Sequence, residues 1–357
     1  MAVTIRDVAK AAGVSISTVS RALSAPEQVA DTTRNHVQQV ALDLGYRPNR
    51  AASGLITGRT GCLGLVVPDL ENPFFGSISK GVQDRARAAG YAVFIADSDE
   101  DPTLEAEVVR SLAKQVDGVI LASARGTEDA VLALAAETPL VLLNRSVAGI
   151  PSINFDNASG IRAIMQHLVA LGHRSIAYAA GPPSSWSNGR RAEAFIAFGE
   201  AHPGLALVEL GTFPPSFAGG IQAADLAIAT GVTAVVAYND LMALGLLDRL
   251  RQRGLRVPDD ISVTGFDNIP VSAMIWPTLT TIENPRVQMG RSCVDTLLDA
   301  VLGRSTENKQ FPDVPVQLVV RQSTGVAPVD PAAGTGGTEG AHASEVDPTQ
   351  VSGAVSV

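Results

Sequence analysis

Residues Gly13 to Ser24, GVSISTVSRALS, open on a glycine and then carry Ser or Thr at five of the next eleven positions, with Arg21 as the one charge. Upstream, Thr4 and Asp7 stand at the spacing of a capping box, which predicts a helix over Ile5–Ala12. Gly13 can take the left-handed conformation that closes this helix in a tight turn. Ser15 can cap a second helix, about 17–23, and a third over about 32–44 would end at Gly45. Val8, Val14, Val19, Leu23, Val37, Val40 and Leu44 would make the small core of this unit. Two short helices joined this tightly suit a helix-turn-helix, whose second helix meets base edges with its first residues. Ser15, Ile16, Ser17, Ser20 and Arg21 would then face outward, and Val19 and Leu23 inward. Small side chains permit close approach to DNA, and hydroxyls, those of Thr4 and Thr18 included, can bond phosphate or base. Arg21 can hold guanine or a phosphate. The same pattern also fits a helical hairpin whose serines merely cap and solvate, and pattern alone leaves both open.

The chain has 357 residues, 46% of them hydrophobic, enough for two or three domains. Its net charge of −9 looks unfavourable for a nucleic-acid binder, but the distribution is uneven. Residues 1–60 hold seven Lys/Arg against four Asp/Glu, +3, which leaves −12 for the rest. Eighteen consecutive apolar residues occur nowhere, so no membrane span is expected. The start lacks the layout of a signal peptide, which predicts a cytoplasmic protein. Cys62 and Cys293 lie far apart, without metal-ligand spacing, and are expected as thiols in a reducing compartment.

From Leu63 the texture changes. The apolar runs CLGLVVPDL, YAVFIADSD, VDGVILAS, PLVLLNR, RSIAYAAG, VTAVVAYND and ISVTGFDN each end in polar residues or glycine, and most lead into an amphipathic stretch. Such alternation predicts doubly wound parallel sheet, with functional residues on loops that leave the carboxyl ends of strands. Strand-end candidates are Asn144 and Arg145, Asn239 and Asp240, and Asp267, with Asn284 following TTIE. Asp240 reads better as a helix cap than as a ligand contact. His167 and His173 read as packing or capping residues. Neither a G-x-S-x-G elbow nor a phosphate-binding glycine loop is present, so no catalysis, cofactor or metal is expected.

TIRDVAKAAGVSISTVSRALS, followed by TTRNHVQQVALDLGYRPNRAASGL, resembles the DNA-binding headpiece of the lactose-repressor-like (LacI/GalR) transcription regulators. The resemblance continues through GLVVPDLENPFF, LVALGHRSIAYAAGP, AYNDLMALGLLDRLRQRGLRVPDDISVTGFDN and PTLTTIENP, and covers about residues 3–325. It implies an α/β protein: an N-terminal helix-turn-helix headpiece plus a periplasmic-binding-protein-like core of two doubly wound parallel α/β lobes. The expected division is 1–48 headpiece, 49–60 hinge and linker, 61–328 core, and 329–357 a disordered Gly/Ala-rich tail. Lobe 1 would take about 61–156 and 286–314, and lobe 2 about 157–285 and 315–328.

The resemblance further implies a homodimeric repressor reading a pseudo-palindromic operator in double-stranded DNA. Ile16, Ser17 and Arg21 match the positions that choose the sequence. Asn49 and Arg50 begin the hinge, and Leu55 matches a minor-groove wedge. Gly54, beside that wedge, costs about 1 kcal/mol relative to alanine in a helix, so the hinge is expected to become helical only on DNA. In the core, Phe74 and Phe75 match pocket-entry aromatics, one of them expected in the core, and Ser187 and Arg191 match a ligand-gripping loop and helix. Trp186 could line the pocket or sit on a surface loop, while Phe213 and Phe217 compete for one aromatic position. The effector would be a sugar or sugar derivative, or alternatively a nucleobase or nucleoside. A solute-binding transport protein would share the core but lack the headpiece, and an α/β enzyme with a borrowed DNA-binding domain would need turnover.

Overall fold

The structure is a computed structural model that describes residues 3–24, 28–46, 59–304 and 311–328. Asn49, Arg50, Gly54, Leu55 and the segment 329–357 lie outside the described residues.

The N-terminal unit holds α1 (Ile5–Ala12), α2 (Ile16–Ser24) and α3 (Asp31–Asp43). Asp7 accepts hydrogen bonds from the main-chain N–H and the hydroxyl of Thr4, at 2.9 and 2.7 Å, which ties down the first turn. Gly13, with φ of 67°, ends α1 in the left-handed conformation. Ser15 accepts the N–H of Thr18 at 3.1 Å and so caps α2. Val8, Val19, Ala22 and Val37 are fully buried between the helices, with Val14, Leu23 and Val40 packed partly against them. Leu44, expected in this core, is exposed; the chain turns after α3 and Tyr46 packs there instead. Alanines 9, 12, 22 and 41 bring the three helices close at low cost in side-chain entropy.

Beyond residue 61 the chain alternates strands and helices. The first sheet is parallel, in the order β2 (Ala92–Asp97), β1 (Cys62–Val67), β3 (Val119–Ala122), β4 (Leu140–Leu143), β5 (Ser152–Ile153). Side chains alternate between its faces. Leu63, Leu65, Ile120 and Ala122 meet α4 (Pro73–Ala88) and α11 (Arg286–Val301), whereas Val66, Val119 and Leu121 meet α5 (Pro102–Ala113) and α6 (Glu128–Glu137). The second sheet, also parallel, has the order β7 (Ala206–Thr212), β6 (Ser175–Ala180), β8 (Ala234–Ala237), β9 (Ser262–Thr264). Ile176 and Tyr178 point to α7 (Asn157–Ala170) and α8 (Trp186–Glu200), while Ala177 and Ala179 point to α9 (Phe217–Thr230) and α10 (Asp240–Gln252). Both sheets are thus doubly wound, and all strands in each end on the same edge.

The chain passes between the two sheets near Phe155, again between β10 (Thr281–Glu283) and α11, and a third time after Val314, which bridges Phe155 and leads into β11 (Gln317–Val319). β10 and β11 form an antiparallel ribbon. The sequence runs do not include β5, β7, β10 or β11. β5, β10 and β11 are only two or three residues long, and β7 is an edge strand with mixed exposure, so neither length nor an apolar run marks them.

Close glycine contacts lock one helix pair on each sheet. A Cβ on Gly81 of α4 would lie 2.1 Å from the Val287 carbonyl oxygen of α11, and one on Gly220 of α9 would lie 2.0 Å from that of Met242 of α10. Gly76, also in α4, is exposed and has nothing within 4 Å. Gly81→Ala should therefore destabilise the protein by about 2–3 kcal/mol through overpacking. Gly76→Ala should be neutral or stabilising by up to about 1 kcal/mol. Thermal unfolding of the two variants checks this pair, and equal melting temperatures would contradict the close crossing.

Candidate functional site

Two surfaces gather the sequence-derived candidates. On the N-terminal unit, Ser15, Ile16, Ser17 and Arg21 are exposed along the start of α2, and Thr18 and Ser20 are half-buried beside them. Ile16 is 46% exposed, although an isoleucine at a helix start could have turned inward. The Ser15 hydroxyl shares hydrogen bonds of 2.8 Å with those of Ser17 and Thr18. Arg21 Nε donates to the Ser17 carbonyl at 3.3 Å, which leaves its outer nitrogens for other partners. The Thr4 hydroxyl proton is committed to Asp7.

The second surface lies between the carboxyl edges of the two sheets. From the first sheet come Asn72, Phe74, Phe75, Glu100, Ser123, Arg125 and Asn144; from the second come Arg191, Pro215, Tyr238, Asn239 and Asp267. The inner space they enclose is about 20 Å³, roughly one water molecule. A wider space of about 670 Å³ adjoins it through Glu100 and Pro215. Asp69, Glu71, Asp97, Asp99 and Glu100 line one side of this mouth, and Pro182, Pro183, Phe213, Pro214 and Pro215 the other. Neither Lys nor Arg lines it. Burial pushes the Asp69 carboxyl above its ordinary range, with help from the nearby Asp97 and Glu100 charges.

Backbone conformation concentrates here. Among the described residues, the non-glycine positions with left-handed φ are Asp99, Glu100, Ser123, Asn144, Asp267 and Asn268, all at strand ends that face the cleft. Strained backbone of this kind persists only where surrounding contacts hold it, and it clusters at ligand sites.

The contacts explain each position. Arg191, on α8, donates from Nε to Asn157 Oδ1 at 2.9 Å and from Nη1 to the Tyr238 carbonyl at 2.6 Å, and its guanidinium lies 3.6 Å over the Phe266 ring. Asn239 Oδ1 accepts the Met242 N–H at 2.9 Å and caps α10, while Nδ2 donates to the Pro215 carbonyl at 2.9 Å. Asn144 donates to the Ser123 hydroxyl at 3.2 Å. Arg125, from the end of β3, forms a two-pronged ion pair with Glu100 at 2.5 and 2.8 Å and donates to the Ser123 carbonyl at 2.6 Å. Beneath it, buried Glu105 accepts the N–H groups of Arg125 and Gly126; burial pushes its carboxyl up against the pull of these bonds. Asp267 is 6% exposed. Burial raises its carboxyl to about 7, Arg191 pulls it down, and Asp240 pushes it up.

Several candidates stand elsewhere. Asp240 is structural: it accepts the Ile269 N–H at 2.9 Å and the hydroxyls of Ser272 and Thr281 at 2.6 and 2.5 Å. Ser187 is buried, and its hydroxyl shares hydrogen bonds with Ser185 and Tyr238 rather than lining the inner space. Trp186 begins α8, half-buried, away from that lining. Phe213 borders the wider mouth, while Phe217 lies on the outside against α10. Phe74 and Phe75 both reach the inner space and pack edge to face, with centroids 4.9 Å apart. Asn284 is 2% exposed and lies beside the Asp267 carboxyl, which it helps pull down, without a hydrogen bond of ordinary geometry to either of its amide atoms. Arg145 is buried and donates to the Gly126 carbonyl at 3.1 Å. His167 bonds Thr324, and His173 bonds Thr233 and Ser262. Sequence reasoning missed Asn72, Glu100, Ser123, Arg125, Pro215 and Tyr238. Ser123 ends the run VDGVILAS and Arg125 follows it, so the strand-end rule applied to β3 would have found them.

Three helices with a polar outer face on α2, followed by two doubly wound sheets around a polar cleft, define a class: DNA-binding regulators with a small-molecule sensor. Comparisons make this specific. Residues 4–49 match the model of the bacterial regulatory proteins of the lacI family, and residues 165–324 that of a periplasmic binding protein-like domain. The HTH-type transcriptional regulator DegA of Bacillus subtilis (strain 168) is 35% identical, over 91% of this chain and 98% of that protein. The Lac repressor dimer bound to operator and the anti-inducer ONPF superposes with a TM-score of 0.79 at 31% identity, covering 91% of this chain and 100% of the other. The regulator CelR in complex with cellobiose gives a TM-score of 0.65 at 31% identity, covering 90% and 99%. The chain belongs to the lacI family and is a transcriptional regulator, not an enzyme. Among the described residues, no helix is long and apolar enough to cross a membrane.

The Asp267 environment carries a pH dependence. An unfolded aspartate ionises near pH 4, roughly, and the folded one at about 7, so the folded state binds the extra proton. This carboxyl's contribution is favourable below that window and is lost as pH rises through 7. Asp267→Asn should therefore melt higher than the wild type at pH 8, by a margin that shrinks at pH 5. A margin independent of pH would mean that Asp267 titrates normally.

Proposed function

We propose that this chain is a homodimeric repressor, acting in the cytoplasm, whose operator affinity is set by a neutral sugar or sugar derivative bound between the two lobes. Residues 1–48 read DNA, 49–60 form hinge and linker, and 61–328 bind the effector and the partner subunit. Lobe 1 corresponds to about 61–156 with 286–314, and lobe 2 to about 157–285 with 315–328.

The observation that carries the effector reading is the composition of the cleft. Asn72, Asn144 and Asn239 supply both donors and acceptors, Arg191 supplies a cation, Asp267 a carboxyl, and Phe74 and Phe75 ring faces. Such a set matches the hydroxyls and the apolar face of a sugar ring. The carboxylate-lined mouth disfavours sugar phosphates and sugar acids by like-charge repulsion. The CelR structure, solved with cellobiose, supports a sugar of one or two rings. Phe213 at the mouth would flank the outer part of such a ligand, and Asn284 would gain partners from it. Trp186 and Ser187 would act from behind, through α8 and Tyr238.

On the DNA side, exposed Ile16, Ser17 and Arg21 would select bases, while Thr4, Ser15, Thr18 and Ser20 would hold phosphates or shape the helix start. The operator-bound Lac repressor dimer supports paired headpieces on a pseudo-palindrome. Asn49, Arg50 and Leu55 would supply the hinge contacts.

Selection of duplexes from a random library with the full chain should yield a pseudo-palindrome bound in a strongly salt-dependent manner. Exchanging Ile16, Ser17 and Arg21 together should change the selected sequence while non-specific affinity stays within about threefold, since phosphate contacts supply that part. Equal weakening on every duplex would refute this division, and absence of salt-sensitive binding would refute the function. In a thermal-shift panel, neutral mono- and disaccharides should stabilise the protein more than their phosphates. The reverse order would contradict the acidic-mouth argument.

A further inference from the structure

Two rigid elements run from the cleft to the chain segment that enters the core from the N-terminal unit. The first is β3, an inner strand of its sheet with neighbours on both sides. Its carboxyl end carries Ser123 and Arg125 into the cleft, and its amino end follows Asp117. At about 3.3 Å per residue, Asp117 and Ser123 stand roughly 20 Å apart along the strand. The second is α11, sixteen residues and so about 24 Å long. At its cleft end Arg286 donates to the carbonyl oxygens of Asp267 and Asn268.

At the other end both elements meet the entering chain. Asp117 Oδ1 accepts the N–H of Thr60 at 2.6 Å and its hydroxyl at 2.9 Å, and Oδ2 accepts the N–H of Gly61 at 3.0 Å. Arg59 Nη2 donates to the carbonyl of Val301, the last residue of α11, at 3.3 Å. Gly118 brings the two elements together: a Cβ there would lie 2.8 Å from Leu297 and 3.1 Å from Val301. The start of β3, the end of α11 and residues 59–61 therefore form one packed junction. Three donors on a single carboxylate make charge-assisted bonds, stronger than neutral ones.

We propose that Asp117 is a positioning residue for regulation, a latch through which displacement at the cleft ends of β3 and α11 reaches the linker and headpieces. Asp117 stands at the end of β3 away from the cleft, against residues 60 and 61. It fixes residues 60 and 61 to the element that carries Ser123 and Arg125, so a shift of that element must carry the linker with it. The proposal rests on the reading of the chain as an effector-controlled operator binder.

The test needs no effector. Pro215 lies in the wall between the inner and outer spaces of the cleft, so Pro215→Trp props the cleft apart. Affinity for the duplex selected from a random library is measured by fluorescence anisotropy for the wild type, Pro215→Trp, Asp117→Ala and the double variant. Expected is a shift of at least about fivefold from Pro215→Trp in the wild-type background, the lower range of allosteric coupling, and under about twofold in the Asp117→Ala background. A purely structural role for Asp117 would leave the two shifts equal, and that result overturns the proposal while leaving the regulator reading intact. No shift in either background overturns both, because the cleft would then not speak to the operator. If Asp117→Ala fails to melt cooperatively, Thr60→Val takes its place in the cycle. It removes one of the three donors and should reduce the Pro215→Trp shift, and an undiminished shift there also overturns the latch.

Discussion

The Arg191 guanidinium sits 3.6 Å above the Phe266 ring and donates to Asn157 and to the Tyr238 carbonyl. A buried arginine without such partners would cost several kcal/mol, so the elements around it are fixed by its needs. Asn157 opens α7, Tyr238 ends the run of β8, and Phe266 follows β9. One side chain thus ties the start of α7 to the loops after β8 and β9 and sets the charge that Asp267 must answer. Burial outweighs that attraction and raises the carboxyl of Asp267, beside it, to about 7. The first sheet solves a similar problem with Arg125, paired to Glu100 and supported beneath by Glu105.

These buried charges stand together because of topology. In a doubly wound parallel sheet every strand delivers its carboxyl end to one edge, and two such sheets joined by three crossings face each other across those edges. Left-handed φ at six non-glycine positions indicates that the loops are held rather than relaxed. In the first sheet, the opposite end of β3 and that of α11 meet residues 59–61 of the linker. A site at one end and a linker at the other is the geometry that lets small-molecule binding act on DNA reading, through elements too well packed to bend. The charge asymmetry of the chain fits the same division, because the basic N-terminal unit approaches DNA while the acidic remainder stays off it.

Much of this could be read from the residues. The helix starts follow from Thr4, Asp7 and Ser15, whose capping chemistry is local, and seven strands follow from apolar runs, most of them buried on both faces. β7 could not be read this way, because Glu209 breaks its short apolar stretch and most of it is exposed, and β10 and β11 are too short to carry a period. In the site, asparagines and aspartates at strand ends are visible because their position is set by the alternation itself. Arg125 and Glu100 were missed because their meaning depends on pairing across 25 residues, which no local pattern encodes. Trp186 and Ser187 sit close to Arg191 in sequence, but the turn of α8 points them elsewhere. Leu44 reads as core from its spacing, but the chain reversal after α3 gives that place to Tyr46.

The central claim is that one conformational equilibrium links the cleft to the headpieces, and reciprocity tests it most directly. The sugar that gives the largest thermal shift is titrated calorimetrically into the full chain, alone and saturated with the selected operator duplex. Linkage requires the ratio of the two sugar affinities to equal the factor by which that sugar changes operator affinity. Matching ratios different from one are the result the account predicts. Equal sugar affinities with and without operator would contradict it.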